Sequence, residues 1–229
     1  MKLTIIMPVY NEKNTFNEIL KKVKKVRIKI QKEIIIVDDG SRDGTRELIE
    51  KVKGKGIKKF FHKKNTGKGA AISTAIKNAD GDIIIIQDAD LEYNPEDYGR
   101  VIEPILKGEA RVVYGERFTL NRLGRWAIPS HFIGNKFLSF LTGIIFLRRV
   151  RDMETCYKAF KKDVIKNIKI NSKRFDVEPE ITAKILRRGI KIYEVPIHFH
   201  PRTFKEGKKI NWRDGLIAIW TLIKYRFED

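Results

Sequence analysis

Residues 82–90 read DIIIIQDAD, and residues 33–41 read EIIIVDDGS. Each holds a run of β-branched residues too continuous for a strand with one wet face, broken abruptly by aspartates. Each therefore reads as a strand buried on both faces, with carboxylates standing at its exit. Outward from this pair the chain alternates. Leu3–Val9 is another apolar strand, leaving through Pro8-Val9-Tyr10-Asn11-Glu12. It is followed by a helix with Phe16, Ile19, Leu20, Val23 and Val26 on one side and lysines on the other. Between the two quoted stretches come a helix opened by Asp43-Gly44-Thr45, a strand at Ile57–His62 and a helix at Gly67–Ala79. Strand and helix alternating through short loops predict a Rossmann-like α/β domain, a mostly parallel central sheet with helices on both faces. Such a sheet binds its ligands beyond the carboxyl ends of the strands.

That rule makes three exits candidates for chemistry: Tyr10-Asn11-Glu12, Asp38-Asp39-Gly40-Ser41 and Asp88-Ala89-Asp90. Carboxylates gathered there repel one another unless a cation or a hydrogen-bonding ligand sits among them. Asp and Ser at strand ends also cap the helices that follow, a duty that suits Ser41 or Asp43. One such exit carries no more than that, whereas three in one sheet point to a site.

Composition narrows the classes. At 229 residues the chain suffices for one domain with a sizeable core. Its apolar runs exclude disorder, and Cys156, the only cysteine, excludes a disulfide scaffold. The net charge is +19, spread along the chain. Such a charge is compatible with nucleic acid, an anionic membrane, a phosphorylated substrate or a plain lysine-rich surface, and separates none of them. Leu3–Val9 is too short for the core of a signal peptide. Phe132–Leu147 is apolar but contains Asn135 and Lys136 and falls short of the ~20 residues a spanning helix needs. Arg148, Arg149 and Arg151 follow it. The tail places Leu216, Ile219, Trp220 and Ile223 at helical spacing near Arg213, Lys224 and Arg226. The expected organisation is a domain over 1–210 and an amphipathic helix over 211–229 that faces a membrane or a partner chain.

Taken in order and spacing, Pro8-Val9-Tyr10-Asn11-Glu12, Val37-Asp38-Asp39-Gly40-Ser41, the Asn65-Thr66-Gly67-Lys68-Gly69 turn and Asp88-Ala89-Asp90 resemble the motifs of the family 2 glycosyltransferases. These are nucleotide-sugar enzymes of the GT-A fold, and residues 88–90 match their DXD motif. Gly115-Glu116-Arg117-Phe118 and Asp152–Phe160 (DMETCYKAF) look like the polyprenyl-phosphate branch, which includes dolichyl-phosphate mannose and glucose synthases. The resemblance runs from about residue 3 to about residue 202. It implies a single GT-A domain and a metal-dependent, inverting transferase moving a hexose from GDP-mannose or UDP-glucose to a polyprenyl or dolichyl phosphate. It further implies a peripheral protein on the cytoplasmic, inner face of the cell membrane, without a nucleic-acid partner. By resemblance, Asp90 and Asp88 hold Mg2+ or Mn2+, with Glu92 where the family often has Gln. Pro8, Tyr10, Glu12 and Asp39 form the base and ribose pocket, and Val37 and Lys68 lie among the substrate-binding residues. Arg202 closes over the diphosphate. His131 and Asn135 stand where some relatives carry an Arg and a Ser at the acceptor phosphate.

Physical chemistry supports each part. A diphosphate leaving group needs its charge stabilised, and a divalent cation on hard oxygen ligands does so as a Lewis acid. Arg117, after the apolar strand Arg111–Gly115, offers a planar guanidinium to phosphate oxygens as charge grows on them. Lys205–Lys209, around Gly207, reads as a mobile lid. A lipid phosphate is already an anion, so no general base is required. A hydroxyl acceptor would need a carboxylate to take its proton, and Asp152 and Glu154 are the candidates.

Other readings explain less. A basic nucleic-acid-binding protein leaves the strand-exit aspartates without a purpose. A nucleotidyltransferase usually carries a glycine-rich loop after its first strand, where this chain has Pro8-Val9-Tyr10-Asn11-Glu12. The near EF-hand spelling from Asp39 to Glu50 follows a strand rather than a helix, and Gly67-Lys68-Gly69 lacks P-loop spacing. His198 and His200 lack a metal-ligand pattern and read as structural.

Overall fold

The structure is a computed structural model and describes residues 1–120, 129–202 and 212–228, except the side chains of 129–131 and 212. The expected lid at Lys205–Lys209 and the side chain of His131 lie outside the described residues.

Among the described residues one sheet holds seven strands: β1 (Lys2–Val9), β2 (Gln31–Asp38), β3 (Ile57–Phe61), β4 (Ile83–Ile86), β5 (Val112–Glu116), β6 (Lys158–Lys161) and β7 (Ile192–Pro196). Their order is β3-β2-β1-β4-β6-β5-β7. β1 runs parallel to β2 and β4, β2 to β3, and β5 to β7; β6 runs antiparallel between β4 and β5. The chain is thus a single α/β domain with a mostly parallel sheet, as its sequence predicts.

The continuous isoleucine runs are explained by cover on both faces. Ile5, Ile6, Ile35, Ile36, Ile84 and Ile85 have no solvent exposure. The covering helices are α1 (Phe16–Lys25), α2 (Thr45–Glu50), α3 (Lys68–Lys77), α4 (Tyr98–Leu106), α5 (Pro129–Phe146), α6 (Lys162–Lys166), α7 (Val177–Arg187) and α8 (Trp212–Phe227). α1 buries Phe16, Ile19, Leu20 and Val23 and turns its lysines to water. The edge strand β3 carries Lys58 and Lys59, a charged edge that discourages another strand from pairing there. α8 is held by α7 and α5: Lys184 Nζ lies 4.3 Å from the Tyr225 ring centroid, and Arg226 Nε donates to the Ile145 carbonyl at 3.1 Å. No helix among the described residues is long and apolar enough to cross a membrane.

The amino-terminal rim of the sheet is closed by Glu33, which is buried. It accepts hydrogen bonds from Thr4 Oγ1, from Lys2 Nζ at 2.6 Å, and from the backbone N–H groups of Asp80 at 2.8 Å and Gly81 at 3.2 Å. Burial alone would push this carboxyl up. The Lys2 and Thr4 bonds, with Asp80 and the charge of Lys58, outweigh it and hold the group at about 2. A Cβ on Gly81 would stand 2.6 Å from Thr4 Oγ1, so the approach that makes these bonds requires glycine.

Candidate active site

Parallel pairing decides where the strand exits go. Val9 is the register partner of Asp38, Asp39 N donates to the Val9 carbonyl at 2.8 Å, and Gln87 N to the Ile6 carbonyl at 2.9 Å. The exits of β1, β2 and β4 therefore emerge together on one rim, around a cavity of about 380 Å3. Pro8, Tyr10, Glu12, Asp39 and Lys68 line it, as do Asp88, Asp90, Glu92, Arg117 and Arg202. Val37 does not; it is fully buried in β2, one residue short of the exit, and packs in the core. Asn135, half-buried on α5, is also absent from the cavity wall.

The charged groups interlock. Lys68 Nζ lies 2.8 Å from Asp88 Oδ1, 2.8 Å from Glu178 Oε1 and 3.6 Å from Cys156 Sγ. Burial pushes Asp88 up, but the charge of Lys68 overcomes it and leaves the carboxyl below its ordinary value. Asp90 meets Arg202 Nη2 at 2.6 Å, yet burial first, and then the charges of Asp88 and Glu92, push its carboxyl up to about 8. Arg202 also reaches both oxygens of Glu12 at 3.3 Å and gives its backbone N–H to Glu92 Oε1 at 2.7 Å. Its buried Nε has no hydrogen-bond partner among the described residues, a donor suited to an incoming anionic oxygen.

Asp39 has a different duty from Asp88 and Asp90. Its oxygens accept from Thr66 Oγ1 at 2.7 Å and from the N–H groups of Thr66 at 3.0 Å and Gly67 at 2.7 Å, and His62 Nδ1 stands 2.7 Å away. It thereby shapes the turn that presents Lys68. Gly67, at φ +100°, and Gly69 are pressed against the segment 172–174. Built Cβ atoms would lie 2.1 Å from the Lys173 carbonyl oxygen and 2.2 Å from that of Ser172.

Arg117 is buried, and Asp152 grips it through Nε at 2.7 Å and Nη2 at 2.6 Å, with the Arg117 N–H on the same carboxylate at 3.0 Å. The Phe199 ring flanks it, 5.0 Å from guanidinium to centroid. Asp152 is fully buried and committed to this bidentate pair, which removes it as an acid–base candidate. Glu154 does line the cavity, and burial, then the charge of Glu178, pushes its carboxyl up to about 7. Glu154 Oε1 and Glu178 Oε2 are buried without a hydrogen-bond partner among the described residues.

Tyr93, Cys156, Arg174, Phe175 and Glu178 also line the cavity and were not singled out by the sequence. Glu178 sits in the first turn of α7, where an acid reads simply as a complement to the helix dipole. Arg174 and Phe175 lie in an irregular segment with no periodic signal.

Asp88, Asp90 and Glu92 are hard oxygen donors on one cavity, and Asp90 is destabilised as an anion, so the set fits a divalent cation. Among the described residues no three His, Cys, Asp or Glu side chains are already gathered as a metal cage. Ions such as Mg2+ take one or two carboxylates and complete their shell with phosphate oxygens and water, so this arrangement suits a cation arriving with a diphosphate. A larger groove of about 740 Å3, between α1 and α2, is lined by lysines such as Lys21, Lys24 and Lys51 and touches none of these groups.

Comparison with known proteins fits this geometry. The family described as Glycosyl transferase family 2 matches residues 4–169. A dolichol-phosphate mannosyltransferase of Pyrococcus furiosus is 29% identical over 213 residues; these are 91% of this chain but 59% of that protein, so the chain spans little more than half of that relative. A UDP-N-acetylglucosamine–dolichyl-phosphate N-acetylglucosaminyltransferase of Methanococcus voltae is 27% identical over 212 residues, 84% of this chain and 83% of the relative. Among solved structures, glucosyl-3-phosphoglycerate synthase of Mycobacterium tuberculosis with Mn2+ and UDP-glucose shares the fold. Its TM-score is 0.71 at 17% identity, over 98% of this chain and 78% of that one.

Proposed function

The chain belongs to glycosyl transferase family 2, and from that membership we propose that it moves a hexose, mannose or glucose, from a GDP- or UDP-linked donor to a polyprenyl or dolichyl phosphate. The observation that carries the reading is the meeting of Asp88, Asp90 and Glu92 with Lys68, Arg117 and Arg202 on one cavity at the strand exits. The names of two relatives include dolichol phosphate or dolichyl phosphate, and a structural neighbour holds Mn2+ with UDP-glucose.

Pro8, Tyr10, Glu12 and Asp39 take the nucleoside at the exits of β1 and β2, with Val37 contributing only the strand that carries Asp39. Asp88, Asp90 and Glu92 would hold a Mg2+ or Mn2+ ion, which would supply positive charge to the departing diphosphate. Arg117, fixed in orientation by Asp152, and Arg202, whose Nε has no partner among the described residues, bind phosphate oxygens as their charge grows. The acceptor oxygen attacks the anomeric carbon from the face opposite the diphosphate. The new C–O bond forms as the old one breaks, the nucleoside diphosphate leaves, and configuration inverts. No proton transfer is required. A lipid acceptor puts the reaction at the cell membrane, and our reading takes its cytoplasmic face.

A second reading, transfer to a saccharide hydroxyl, is favoured by Glu154, a cavity carboxyl near 7 and so poised as a general base. The test is incubation of the protein with Mn2+, GDP-mannose or UDP-glucose, and a short-chain polyprenyl phosphate. The expected products are the nucleoside diphosphate and a hexosyl phosphate lipid of inverted configuration. Pyrophosphate release would overturn the assignment, and a product formed only with sugar acceptors would favour the second reading.

A further inference from the structure

Transfer to a lipid phosphate leaves two acids of the cavity wall without a duty, because an anionic acceptor requires no base. They are Glu154 and Glu178. Each keeps a buried oxygen, Glu154 Oε1 and Glu178 Oε2, that has no hydrogen-bond partner among the described residues. A buried acceptor left unsatisfied costs more than an ordinary hydrogen bond returns. Burial and the charge of Glu178 already press on Glu154, and Glu178 is only 8% exposed, so water relieves neither well. Two such oxygens on one cavity call for donors that arrive with a ligand.

The chain holds Glu154 in place instead of letting it swing to solvent. Its segment leads into β6, which runs antiparallel to β4 and therefore begins on the rim where β1, β2 and β4 end. Side chains from elsewhere in the fold fasten the backbone on both sides of Glu154. Glu194 Oε1 of β7 accepts the N–H groups of Arg151 at 2.8 Å and Asp152 at 3.0 Å. Ser139 Oγ of α5 accepts that of Met153 at 2.9 Å, and the Tyr93 hydroxyl accepts that of Cys156 at 2.9 Å. Glu178 is fixed by Lys68, 2.8 Å from its Oε1. Both acceptors are thus set before a ligand comes, which favours binding. The strand order decides which part of a ligand meets them. The proposed nucleoside site lies at β1 and β2 and the diphosphate site at β4, and the next strand across is β6. A nucleotide-sugar laid along this rim brings its hexose to the segment of Glu154.

Positive charge is already at hand: Lys68 reaches Glu178, and the charges of Lys158 and Arg117 act on Glu154. What the two oxygens lack is a donor, and a hexose carries several hydroxyls. We propose that Glu154 and Glu178 accept hydrogen bonds from hydroxyl groups of the transferred hexose, and that this pair selects a neutral sugar and rejects a uronic acid. A uronate would set a third carboxylate beside these two, while Lys68 is already shared between Asp88 and Glu178. The proposal rests on the nucleotide-sugar reading of the cavity and adds the residues that choose the sugar. It also gives Glu154 a duty other than that of a base.

The test is calorimetric titration with Mn2+ present and the acceptor left out, so that no transfer occurs. UDP, UDP-glucose and UDP-glucuronate form one series, and GDP, GDP-mannose and GDP-mannuronate the other. In the series whose base the protein binds, the wild type should bind the neutral sugar nucleotide at least about tenfold more tightly than the uronate. Glu154→Gln keeps an acceptor but removes the charge. It should narrow that ratio at least about fivefold and leave the affinity for the nucleoside diphosphate unchanged. Glu178→Gln should narrow the ratio too. Deoxy donors, each lacking one hydroxyl, should include one that binds the wild type at least about tenfold more weakly than the parent donor does, yet binds Glu154→Ala equally well. Equal affinity of the wild type for the neutral and the uronate donor overturns the inference. So does a ratio untouched by Glu154→Gln and Glu178→Gln, or the absence of any such deoxy donor. If neither UDP nor GDP binds with Mn2+, the nucleotide-sugar reading itself fails and the inference with it. UDP and GDP carry no sugar, so that failure is told apart from the others.

Discussion

The two rims of the sheet treat buried carboxylates in opposite ways. At the amino-terminal rim, Glu33 receives hydrogen bonds from Lys2, Thr4, Asp80 and Gly81 and is held at about 2. At the carboxyl-terminal rim, Asp90 is pushed to about 8 and Glu154 to about 7, and Glu154 and Glu178 each keep an oxygen with no partner among the described residues. All four residues are acids removed from most solvent; at Glu33 the donors outweigh burial, whereas at Asp90, despite Arg202, burial and the charges of Asp88 and Glu92 outweigh them. Where the donors win, a carboxylate is part of the scaffold. Where burial and like charge win, the group is costly to the empty fold and suits a ligand that brings positive charge.

The sharpest way to break this contrast is kinetic. Asp90→Asn should lower hexose transfer at least about 100-fold, while Glu33→Gln, assayed where it remains folded, should leave the rate unchanged. Initial rates decide it, and comparable losses at both rims would dissolve the distinction. The next effect is ligand-linked. Mn2+ with GDP or UDP, at about 100 times the dissociation constant, should stabilise the wild type by about 2.7 kcal/mol. Asp90→Asn should lose most of this gain in a thermal-shift experiment, and Glu33→Gln should keep it.

Glu33→Gln should itself cost about 1–3 kcal/mol, because donors are left facing a weaker acceptor. Glu33 has a folded value of about 2 against an ordinary 4.5, so its charge stabilises fully above 4.5 and progressively less as pH falls towards 2. Denaturant titrations should show the gap between wild type and Glu33→Gln closing over that interval. The smallest effect belongs to Glu154. Its folded value of about 7 lies above the ordinary 4.5, so its contribution to stability declines as pH rises from 4.5 through 7. Glu154→Gln should therefore gain on the wild type in melting temperature between pH 5 and pH 8. A constant difference would show that Glu154 ionises as freely as a surface acid.

The parts of the fold legible from sequence are those with an unbroken pattern. β1, β2 and β4 carry runs of buried isoleucine, and parallel pairing then obliges their polar exits to meet, so Glu12, Asp39, Asp88 and Asp90 can be placed together without coordinates. β6 has no such pattern. Its buried Lys158 looks like a surface residue, and it is tolerated because its ammonium donates to the carbonyls of Met153 and Thr155 and lies 4.7 Å from the Tyr114 ring centroid. Partnerships over long separations were equally hidden. Asp152 reads as a free acid until its 35-residue reach to Arg117 is seen, and Glu178 as a helix-end charge until α7 brings it to Lys68. Val37 illustrates the reverse error, since a residue inside a matched motif need not face the cavity that the motif builds.

The glycines at 67 and 69 have a consequence for traffic. Because neither leaves room for even a methyl group beside the carbonyls of 172 and 173, the turn bearing Lys68 and the stretch bearing Arg174 and Phe175 are geared together like meshed teeth. A methyl at either position would press the two segments apart, so Gly67→Ala or Gly69→Ala disturbs both walls of the cavity at once. Arg202, by contrast, is held among the described residues by side-chain contacts with Glu12 and Asp90 and by the Glu92 carboxylate on its backbone N–H.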